Sequence, residues 1–515
     1  MRVVTAHTMQ ELDNRAITEF GIPGLTLMER AGQACVTEII SGFGQSGRAF
    51  VLAGKGNNGG DGFVIARLLL AEGWNVTVLI LAERQQISGD AAINLEMLPE
   101  SVIAYCNDPV HLPTLYCEAI IQADLIIDAL FGTGLRSDLT GIYHEAIELM
   151  NNSERPILAV DIPSGIHGTT GRPLGSAVHA DITVAFAFAK LGHVLYPGAE
   201  YTGRLVVADI GIPAELMGIT PGYDFMNRTT VCPLLQRRDR QAHKGTYGHS
   251  LIIAGSTGKT GAAALSANSA MRAGSGLVTL AVAESIHAIL EIKTTEVMTV
   301  PLADAGSGYL TSSAVPVLEK LLTGKAAVAI GPGIGRRPGT IALVQALIET
   351  VELPLVLDAD ALNALSEDLA LLHRKKSKTV ILTPHPGEMS RLVGTSIPDV
   401  EAIRISVAQE FARRYDVYLV LKGARTIIAS PAGTVAINGS GNPGMASGGM
   451  GDVLTGILVS LVGQGYSAWD ACRLGVFIHG HAADLVARDK GEIGINATDV
   501  LEMLPYAYHE LLKTR

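Results

Sequence analysis

The chain has 515 residues, more than a single hydrophobic core can serve, so we expect at least two domains. Apolar residues make up 48% of it, charged residues only 17%, and there are 57 glycines, which excludes a disordered or fibrous chain and indicates a well-buried α/β protein with many tight turns. The net charge of −11 includes no basic block, which excludes long-range attraction to nucleic acid or to an anionic membrane surface.

The cysteines and the apolar runs indicate the compartment. The five cysteines show no CxxC spacing, so we expect neither a disulfide framework nor a thiolate metal site. The first residues, MRVVTAHTMQELDNRA, include acidic side chains where a signal peptide needs an apolar stretch. No run reaches the roughly 18 apolar residues of a membrane span. We therefore expect a cytoplasmic protein.

The first part of the chain predicts two helices and then a series of strands. Thr8 followed by Glu11 has the spacing of a capping box at the start of a helix through QELDNRAITEF, and a second helix is predicted over LMERAGQACVTEII. Apolar runs of β type then alternate with helical patterns, which predicts βαβ units and a mostly parallel sheet. The predicted strands are AFVLAG, NVTVLILA, ADLIIDAL, PILAVDIP, ITVAFAF and GRLVVADIG.

A second alternation follows a break in this periodicity. The stretch PAELMGITPGYDFMNRTTVCPLLQRR contains prolines and glycines and is predicted to include the domain boundary. After Lys244 the predicted strands are SLIIAGS, GLVTLAV, AAVAIGPG, PLVLDAD, TVILTPH, VYLVLKG and TIIAS. The final third, from GGMGDVLTGILVSLVG onward, is predicted to be helical. Because no internal repeat links the halves, two different α/β domains are predicted.

The stretch GKGNNGGDG, residues 54–62, lies between a predicted strand and a predicted helix. Its glycines satisfy the GxGxxG pattern of a dinucleotide-binding turn, and Glu83 ends the next strand where a ribose-binding carboxylate would lie. Asp61, however, would oppose a diphosphate unless a cation lies between them. The alternative is a turn whose glycines serve backbone geometry alone.

Two further aspartates follow other predicted strands. Asp128 in LIIDALFGTGL and Asp161 in LAVDIPSG would lie at the carboxyl ends of parallel strands, where ligands collect in an open α/β sheet. With Asn57, Asn58 and Asp61 they would place several oxygen ligands at one edge, and such ligands favour potassium, calcium or magnesium over zinc. The alternative for each aspartate is a cap on the following helix or turn. Three such positions in one domain favour a shared site.

These motifs together resemble the NAD(P)H-hydrate epimerase domain, over about residues 1–215. GKGNNGGDG, LIIDALFGTGL and AVDIPSG match, as do TMQELDNRAI and LMERAG, while Arg30 departs from the Asn of many relatives. The resemblance implies a Rossmann-like three-layer α/β/α domain that binds a hydrated nicotinamide dinucleotide and interconverts the epimers at its C6 hydroxyl, with Asp161 as the acid/base residue. The implied potassium ligands are Asn58, Asp128 and Ser164. The implied substrate contacts are Asn57, Asn58, Gly59, Gly60, Asp61, Gly132, Thr133, Gly134, Leu135, Arg136, Ser137, Asp138 and Asp161.

The second half contains two stretches that resemble phosphate-binding motifs, and only the later one predicts a phosphate site. GSTGKT follows a predicted strand, but a Walker A loop would need a glycine where the chain has Ile253, so we predict no nucleotide site from it. GNPGMASGGMGDVLTGIL places glycines directly before an amphipathic helix, where backbone N–H groups form an anion site. Asp452 at that helix start is well placed to take a proton from a hydroxyl that attacks phosphorus. The alternative is an ordinary N-cap; the three glycines crowded before Asp452 favour catalysis.

Other polar residues follow neighbouring strands and are candidates for the same edge. LDADALN supplies Asp358 and Asp360, and LTPHPGE supplies His385 and Glu388 in a loop that two prolines constrain. VLKGARTII supplies Lys422, which is placed to meet a nucleotide phosphate. The alternatives are a merely packed histidine and a solvated surface lysine.

The second half resembles the ADP- or ATP-dependent NAD(P)H-hydrate dehydratase, a ribokinase-like domain, over about residues 229–515, after a linker at 216–228. The motifs that carry the resemblance are HKGTYGHSLIIAGS, IGPGIG, DADALNAL, TPHPGE, LKG and NPGMASGGMGDVLTG. It implies magnesium with ADP or ATP, and Asp452 as the catalytic residue. The implied substrate contacts are Ala262, Gly333, His385 and Asp452. The implied nucleotide contacts are Lys422, Gly423, Ala424, Arg425, Thr426 and Gly451.

Together the halves resemble the bifunctional NAD(P)H-hydrate repair enzymes. This implies that the first domain supplies the S epimer from the R epimer, and that the second phosphorylates the C6 hydroxyl and eliminates phosphate. Two alternatives stay open: a ribokinase-like small-molecule kinase, and a first domain that binds without catalysis. The expected partners are NAD(P)H hydrate and ADP or ATP, with a homo-oligomeric assembly and neither nucleic acid nor membrane. The sequence does not choose between ADP and ATP or between NADH and NADPH hydrate.

Overall fold

A computed structural model describes residues 1–513 of the chain. The chain divides into two compact units, Arg2–Tyr223 (the N-terminal unit) and Asp224–Arg515 together with Met1 (the C-terminal unit). The bounds predicted from the sequence, 1–215, 216–228 and 229–515, stay a prediction, and the last two residues of the third range lie outside the described residues.

Apolar and β-branched runs form the strands of the N-terminal unit, and every strand predicted there is present within a few residues of its predicted bounds. The strands are β1 (Arg2–Val4), β2 (Arg48–Ala53), β3 (Asn75–Ile80), β4 (Ile103–Tyr105), β5 (Leu125–Ala129), β6 (Ile157–Val160), β7 (Ile182–Phe186), β8 (Ala189–Lys190) and β9 (Arg204–Ala208). The helices are α1 (Ala6–Thr18), α2 (Gly24–Phe43), α3 (Asn57–Ala71), α4 (Gly89–Glu96), α5 (His111–Gln122), α6 (Ile142–Asn151), α7 (Leu191–Val194), α8 (Gly198–Tyr201) and α9 (Ala214–Ile219).

The main sheet of this unit is parallel, with the strand order β4-β3-β2-β5-β6-β7-β9. Residues that alternate along a strand face two different cores, as the period of two requires. Val51 and Ile127 pack in a core with α1, α2 and α3, whereas Phe50 and Ile126 pack in a core with α5 and α6. The unit therefore has three layers. Its strand order reverses between β2 and β5, and ligands bind beyond the carboxyl ends of strands at such a point.

The first helix begins before the predicted cap. Thr5 is extended and accepts a hydrogen bond from the Thr8 amide at 3.0 Å, so Thr5 is the N-cap of α1. The prediction of Thr8 as the cap is therefore wrong, because Thr8 already lies in the first turn. The helix buries Leu12 and Ala16 on its inner side.

The C-terminal unit again contains every predicted strand, together with short ones that the sequence analysis missed. The strands are β10 (Tyr223–Met226), β11 (His249–Ile253), β12 (Leu277–Ala283), β13 (Met298–Leu302), β14 (Ala327–Ile330), β15 (Leu355–Leu357), β16 (Val380–Leu382), β17 (Tyr418–Leu421), β18 (Ile427–Ala429) and β19 (Val435–Asn438). The helices are α10 (Arg228–Val231), α11 (Thr260–Arg272), α12 (Glu284–Lys293), α13 (Val315–Leu321), α14 (Pro338–Thr350), α15 (Asp360–Ser366), α16 (Leu371–Arg374), α17 (Pro386–Val393), α18 (Ile397–Ala402), α19 (Arg404–Tyr415), α20 (Met450–Gly463), α21 (Ala468–Lys490) and α22 (Ala497–Lys513).

The strands of this unit follow the order β13-β12-β11-β14-β15-β16-β17-β18-β19-β10. They are parallel from β13 to β17, and β18 is antiparallel to both of its neighbours. The order reverses between β11 and β14. Because β11, β14, β15, β16 and β17 are parallel, the loops that follow them share one edge of the sheet.

Helix α20 is apolar on nearly every side and is buried. A Cβ built on Gly456 would lie 2.0 Å from the Ser269 hydroxyl oxygen and 2.1 Å from the Ser266 carbonyl oxygen, so α20 and α11 touch through their backbones at this glycine. This close packing positions the start of α20, which carries Asp452. In the part of the chain that the structure describes, no helix is long and apolar enough to cross a membrane.

Candidate active sites

The first candidate site lies beyond β2 and β5, where the strand order reverses. Helix α3 begins inside GKGNNGGDG, at Asn57, with Gly56 as its N-cap. A Cβ built on Gly59 would lie 2.0 Å from the carbonyl oxygen of Gly54, and one built on Gly54 would lie 2.1 Å from that of Leu130. These glycines therefore allow the turn to close against the end of β5. The asparagines and the aspartate of the motif are thereby carried in the first turns of a helix.

Asp128 and Ser164 are joined at this edge. Asp128 is fully buried, and its carboxylate accepts hydrogen bonds from the Ser164 hydroxyl at 2.6 Å and from the Ser164 amide at 2.7 Å. It also accepts a hydrogen bond from the Leu130 amide at 3.3 Å, so the turn-capping role that was the alternative is present as well. Burial raises the pKa of Asp128 to about 6, although the hydrogen bonds oppose this shift.

Asn58 approaches the same edge from α3. Its Oδ1 would lie 3.1 Å from a Cβ built on Gly132, in the loop after β5, and its Nδ2 is buried without a hydrogen-bond partner. Among residues 1–513, no group of three or more His, Cys, Asp or Glu side chains is arranged to hold a metal ion. Carboxylate, hydroxyl and amide oxygens are the ligands that hard cations prefer, and Asp128, Ser164 and Asn58 carry such oxygens.

Asp161, directly after β6, has a left-handed backbone with a φ of 66°, which is unusual for a residue other than glycine. Its carboxylate forms an ion pair with the fully buried Lys190 and accepts a hydrogen bond from the Phe186 amide at 3.3 Å. Backbone strain of this kind is concentrated at functional sites. Asp161 is therefore a constrained carboxylate at the carboxyl edge of the sheet.

Two more carboxyl groups, Asp61 on α3 and Asp13 on α1, lie within electrostatic reach of this ion pair. Burial and then the charge of Asp161 raise the pKa of Asp61 well above its usual value. Burial raises the pKa of Asp13 to about 7, an effect that Lys190 opposes and Asp161 reinforces. Carboxyl groups in different protonation states at one edge can both donate and accept protons.

Sequence reasoning missed Lys190 and Asp13. Lys190 follows the apolar run ITVAFAFA, and a lysine in such a run signals a buried partner. Asp13 lies next to Leu12 and three residues before Ala16, which are both buried on the inner side of α1. A polar residue beside the apolar stripe of a helix was thus the available signal.

The remaining predicted substrate contacts lie in different surroundings. Gly59, Gly60 and Asp61 are buried in α3, and Asn57 is exposed at its start. In the loop after β5, the Leu135 side chain packs in the core with α5 and α6, so only its backbone can face a ligand. The other residues of that loop are at least partly exposed, and they are Gly132, Thr133, Gly134, Arg136, Ser137 and Asp138. Glu83, the suggested ribose ligand, instead caps a short 3₁₀ helix.

The second candidate site lies where α20 begins. Gly449 caps the helix with a left-handed φ of 93°, so Asp452 lies in the first turn and the alternative of an N-cap is wrong. Burial and then the charge of Asp358 raise the pKa of Asp452 to about 7. A carboxyl group with this pKa is suited to accept a proton from a hydroxyl at neutral pH.

Asp358, at the end of β15, joins three elements of the site. Its Oδ1 lies 2.7 Å from the Lys422 ammonium, and its Oδ2 accepts a hydrogen bond from the Thr455 hydroxyl of α20 at 2.8 Å. Glu388 Oε2 lies 3.8 Å from the same ammonium. Burial would lower the pKa of Lys422, but the charges of Asp358 and Glu388 raise it above its usual value. Lys422 is thus a partly buried, charged member of the site that is paired with Asp358, and the alternative of a solvated surface lysine is wrong.

His385 is the N-cap of α17. Its Nδ1 accepts hydrogen bonds from the amides of Gly387 at 3.0 Å and Glu388 at 3.3 Å, and its own amide donates to the Glu388 carboxylate at 2.9 Å. The side chain is 52% exposed, so His385 is not the packed histidine of the alternative. Burial of its inner part lowers the pKa of His385, which favours the neutral imidazole. The ring therefore has a fixed orientation at the edge of the sheet.

The GSTGKT turn reaches the same edge although it fails as a Walker loop. Lys259 lies 2.9 Å from Asp360 Oδ2, which also accepts a hydrogen bond from the Gly335 amide at 3.0 Å. A Cβ built on Gly333 would lie 3.0 Å from the Cβ atoms of both Ala262 and Lys259. The structure thus brings the predicted contacts Ala262 and Gly333 together and adds Lys259, which sequence reasoning missed.

The predicted nucleotide contacts lie around the start of the β17–β18 loop. A Cβ built on Gly451 would lie 3.3 Å from the Lys422 ammonium nitrogen, so the start of α20 faces this lysine. In the loop itself, the Thr426 hydroxyl donates to the Gly423 carbonyl at 3.0 Å. The Arg425 guanidinium donates to the carbonyl of Gly439, directly after β19, at 3.0 Å. The loop also includes Ala424, whose carbonyl accepts a hydrogen bond from the Arg404 guanidinium at 2.6 Å.

Fold and sites together define a class of protein, a two-domain α/β enzyme. One domain has buried carboxyl groups at the carboxyl edge of a parallel sheet, and the other has a carboxylate in the first turn of a helix near a lysine, an arrangement that is suited to phosphoryl transfer.

Comparisons with known proteins agree with this class. Residues 24–192 match the family described as YjeF-related protein N-terminus, and residues 250–506 match the family described as NAD(P)H-hydrate dehydratase. The bifunctional NAD(P)H-hydrate repair enzyme Nnr of Moorella thermoacetica is 44% identical over 99% of this chain and 97% of its own. That of Thermofilum pendens is 39% identical over 99% of this chain and 97% of its own. The solved ADP/ATP-dependent NAD(P)H-hydrate dehydratase from Bacillus subtilis, co-crystallised with ATP/Mg2+, is 29% identical, covers 56% of this chain and 99% of its own, and has a TM-score of 0.48.

The chain belongs to the family of bifunctional NAD(P)H-hydrate repair enzymes. The predicted fold class, a Rossmann-like three-layer domain followed by a ribokinase-like α/β domain, is confirmed, as is the prediction that the chain is an enzyme.

Proposed function

We propose that the N-terminal unit interconverts the R and S epimers of NAD(P)H hydrate, and that the C-terminal unit dehydrates the S epimer at the expense of ADP or ATP. The observation that carries this proposal is that each unit has its own carboxylate cluster, with Asp161 paired to Lys190 in one and Asp452 close to Asp358 and Lys422 in the other. The relatives are named as bifunctional repair enzymes, and the family that residues 250–506 match is described as NAD(P)H-hydrate dehydratase, which supports dehydration by the C-terminal unit.

In the proposed dehydration, Asp452 takes the proton of the C6 hydroxyl while the hydroxyl oxygen attacks the terminal phosphorus of the nucleotide. The bond from that phosphorus to the nucleotide's bridging oxygen breaks, and backbone amides at the start of α20 stabilise the charge on the transferred group. The C6–O bond then breaks, and phosphate leaves with the electron pair of that bond. Loss of a proton from the adjacent ring carbon restores the double bond. Hydroxide is a much poorer leaving group than phosphate, which is why the nucleotide is consumed.

The proposed ligand contacts follow from this chemistry. His385, Gly333 and Ala262 contact the hydrated dinucleotide, and the nucleotide lies against Gly451 and the residues from Lys422 to Thr426. Magnesium accompanies the nucleotide and neutralises phosphate charge. Asp358 and Asp360 are each already paired with a lysine. We therefore propose that most of the oxygen ligands of a bound magnesium ion would come from the nucleotide phosphates.

In the proposed epimerisation, Asp161 is the acid/base residue. Inversion at C6 needs a proton for the departing hydroxyl and a base for the water that adds from the other face. A carboxylate held by Lys190 near Asp61, whose carboxyl pKa burial raises well above its usual value, is suited to both requirements. The residues from Asn57 to Asp61 and from Gly132 to Asp138 are the proposed substrate contacts.

For potassium we propose coordination by Asn58, Asp128 and Ser164. Potassium chloride at about a hundred times the dissociation constant should then raise the free energy of unfolding by up to about 3 kcal/mol relative to choline chloride at equal ionic strength. Thermal unfolding of the full chain measures this effect. The Asp128→Asn variant should lose it, and equal stabilisation of variant and parent by potassium would refute the assignment.

The function is tested with a mixture of R and S NADPH hydrate, in potassium, with ADP, with ATP or with neither. Recovery of nicotinamide absorbance and separation of the epimers are followed together. Complete repair with one nucleotide is expected. Repair of only about half of an equal mixture would refute the epimerase, since only the S form is then consumed, and accumulation of a phosphorylated product would support the small-molecule kinase.

The Asp452→Asn variant separates the two activities. It should abolish nucleotide-dependent dehydration and leave epimerisation intact, whereas equal loss of both activities would refute the division of labour. The cytoplasmic location, the homo-oligomeric assembly, and the absence of nucleic-acid and membrane partners stay predictions.

A further inference from the structure

Lys190 is a charged residue in a part of the N-terminal unit that excludes water. It ends β8, and its side chain is 1% exposed. Its ammonium group contacts the Asp161 carboxylate and donates a hydrogen bond to the Phe186 carbonyl at 3.3 Å. A buried ion pair of this kind is a poor source of stability, because the cost of desolvating two charges can exceed their mutual attraction. The pair therefore points to a role in the reaction.

Both partners are held by the backbone around them. The Lys190 amide donates to His193 Nδ1 at 3.0 Å, which joins the end of β8 to α7. The Asp161 amide donates to the Val184 carbonyl at 2.9 Å, and its carboxylate accepts from the Phe186 amide at 3.3 Å. The position of the carboxylate is therefore set by its neighbours on β7 and β8.

The titratable groups that face the pair come from four helices. They are Asp13 on α1, Cys35 on α2, Asp61 on α3 and His193 on α7. Burial raises the pKa of Asp61 and of Cys35 well above their usual values and that of Asp13 to about 7, and it lowers the pKa of His193 to about 3. Cys35 and His193 are therefore neutral near pH 7, and the side chain that contacts the Asp161 carboxylate is Lys190.

We infer that Lys190 is a positioning residue for epimerisation, whose buried ammonium group holds the Asp161 carboxylate in place for the reaction. This inference rests on the proposed epimerase function of the N-terminal unit. Without the ammonium group, three carboxyl groups would share one water-poor site. A buried carboxylate that has lost its partner takes up a proton, and Asp161 could then no longer act as a base.

The test uses two variants of the full chain, Lys190→Met and Lys190→Arg. Interconversion of purified epimers in potassium is measured across a range of pH, and dehydration of the S hydrate by the same preparations controls for concentration and for folding of the C-terminal unit. For Lys190→Met we expect epimerisation kcat to fall by about 100-fold or more. We expect KM to change by less than about threefold. The acidic limb of the pH profile should move upward by about one to two pH units.

The Lys190→Arg variant keeps a positive charge but replaces the ammonium group by a planar guanidinium group. It should retain the parent pH profile even where its kcat is reduced. Should the N-terminal unit of Lys190→Met fail to fold, as judged by circular dichroism and proteolysis, the arginine variant decides: an unchanged pH profile supports the inference, and a shift like that expected for methionine overturns it.

Two further results would overturn the inference. One is a Lys190→Met variant with parental kcat and pH profile. The other is a full additional loss when Lys190→Met is combined with Asp161→Asn, because a residue that acts through Asp161 has little left to contribute once that carboxylate is gone. A parent chain that does not epimerise at all refutes the proposed function first, and the inference with it.

Discussion

The raised pKa of Asp452 depends first on its burial and then on the charges around it. Burial and the carboxylates Asp358 and Asp360 raise its pKa to about 7, while Lys422 and Lys259 oppose the shift. Asp358 and Asp360 follow β15, Lys422 follows β17, and Lys259 directly precedes α11. The basicity that the proposed mechanism needs is therefore a property of the cluster.

The raised pKa of Asp452 predicts a pH dependence for dehydration. The carboxylate is the form that accepts the hydroxyl proton, and raising its pKa from 3.8 to about 7 means that this form is about half populated at neutral pH. We therefore expect kcat/KM for dehydration to rise between about pH 6 and about pH 8, whereas a solvated aspartate would already be ionised there. Initial rates with saturating nucleotide measure this.

The Asp360→Asn variant supplies the matched comparison. It removes one negative neighbour and frees Lys259, and both changes favour the ionised form of Asp452, so the midpoint should move to lower pH. A flat profile in the parent, or a midpoint that moves to higher pH in the variant, would contradict the assignment of Asp452 as the base.

At the scale of elements, the contact between α11 and α20 positions the proposed phosphoryl-transfer site. The two helices touch at Gly456, where a Cβ would meet Ser269 and Ser266 at distances that no side chain accepts. Gly456→Ala must therefore push the helices apart, and overpacking of this kind costs about 1–3 kcal/mol. We expect dehydration activity to be lost at a lower temperature than in the parent, with epimerisation unaffected.

Gly261→Ala is the control for that variant. Gly261 lies in α11, and a Cβ built on it has open space around it, so the change should be neutral or slightly stabilising because alanine has the higher helix propensity. Residual activity after heating to a series of temperatures compares the two. Equal heat sensitivity of both variants would show that the helix contact is not what limits the site.

The elements themselves were largely predictable. Apolar runs bounded by glycine, proline or aspartate marked most of the strands, because a strand buried on both faces leaves a continuous apolar signal. The strands without a predicted counterpart are the short β1, β4, β8, β10 and β19, and β13, which lies at the end of its sheet and is largely unburied. The start of α1 was misplaced because Thr5 and Thr8 can both cap a helix, and only the backbone conformation shows that Thr5 does.

At the scale of the whole molecule, each compact unit has its own core and its own site. The R-to-S step and the nucleotide-dependent step should therefore be separable between two copies of the chain. An equal mixture of the Asp161→Asn and Asp452→Asn variants should repair both epimers completely. Each variant alone should repair at most one of the two epimers. Repair that stays at about half of an equal epimer mixture would contradict this independence.

The sequence by itself determined that two α/β domains are present, which strands end in glycine-rich turns, and which aspartates follow those strands. These are local properties, since periodicity and turn chemistry depend on neighbouring residues. The resemblance of the motifs added the family and the expected chemistry. The position after a strand or at a helix start and the resemblance together identified Asp128, Asp161 and Asp452 as candidate site residues.

Only the tertiary structure decided which charges meet. Lys190 pairs with Asp161 across 29 positions, Lys422 with Asp358 across 64, and Lys259 with Asp360 across 101. Such partners are chosen by the order of strands in the sheet, which places the loops of particular strands side by side, and strand order depends on how whole layers pack. The pKa values near 7 of Asp13 and Asp452 arise from the same packing, because burial and a neighbour's charge cannot be read from a residue's own position in the chain.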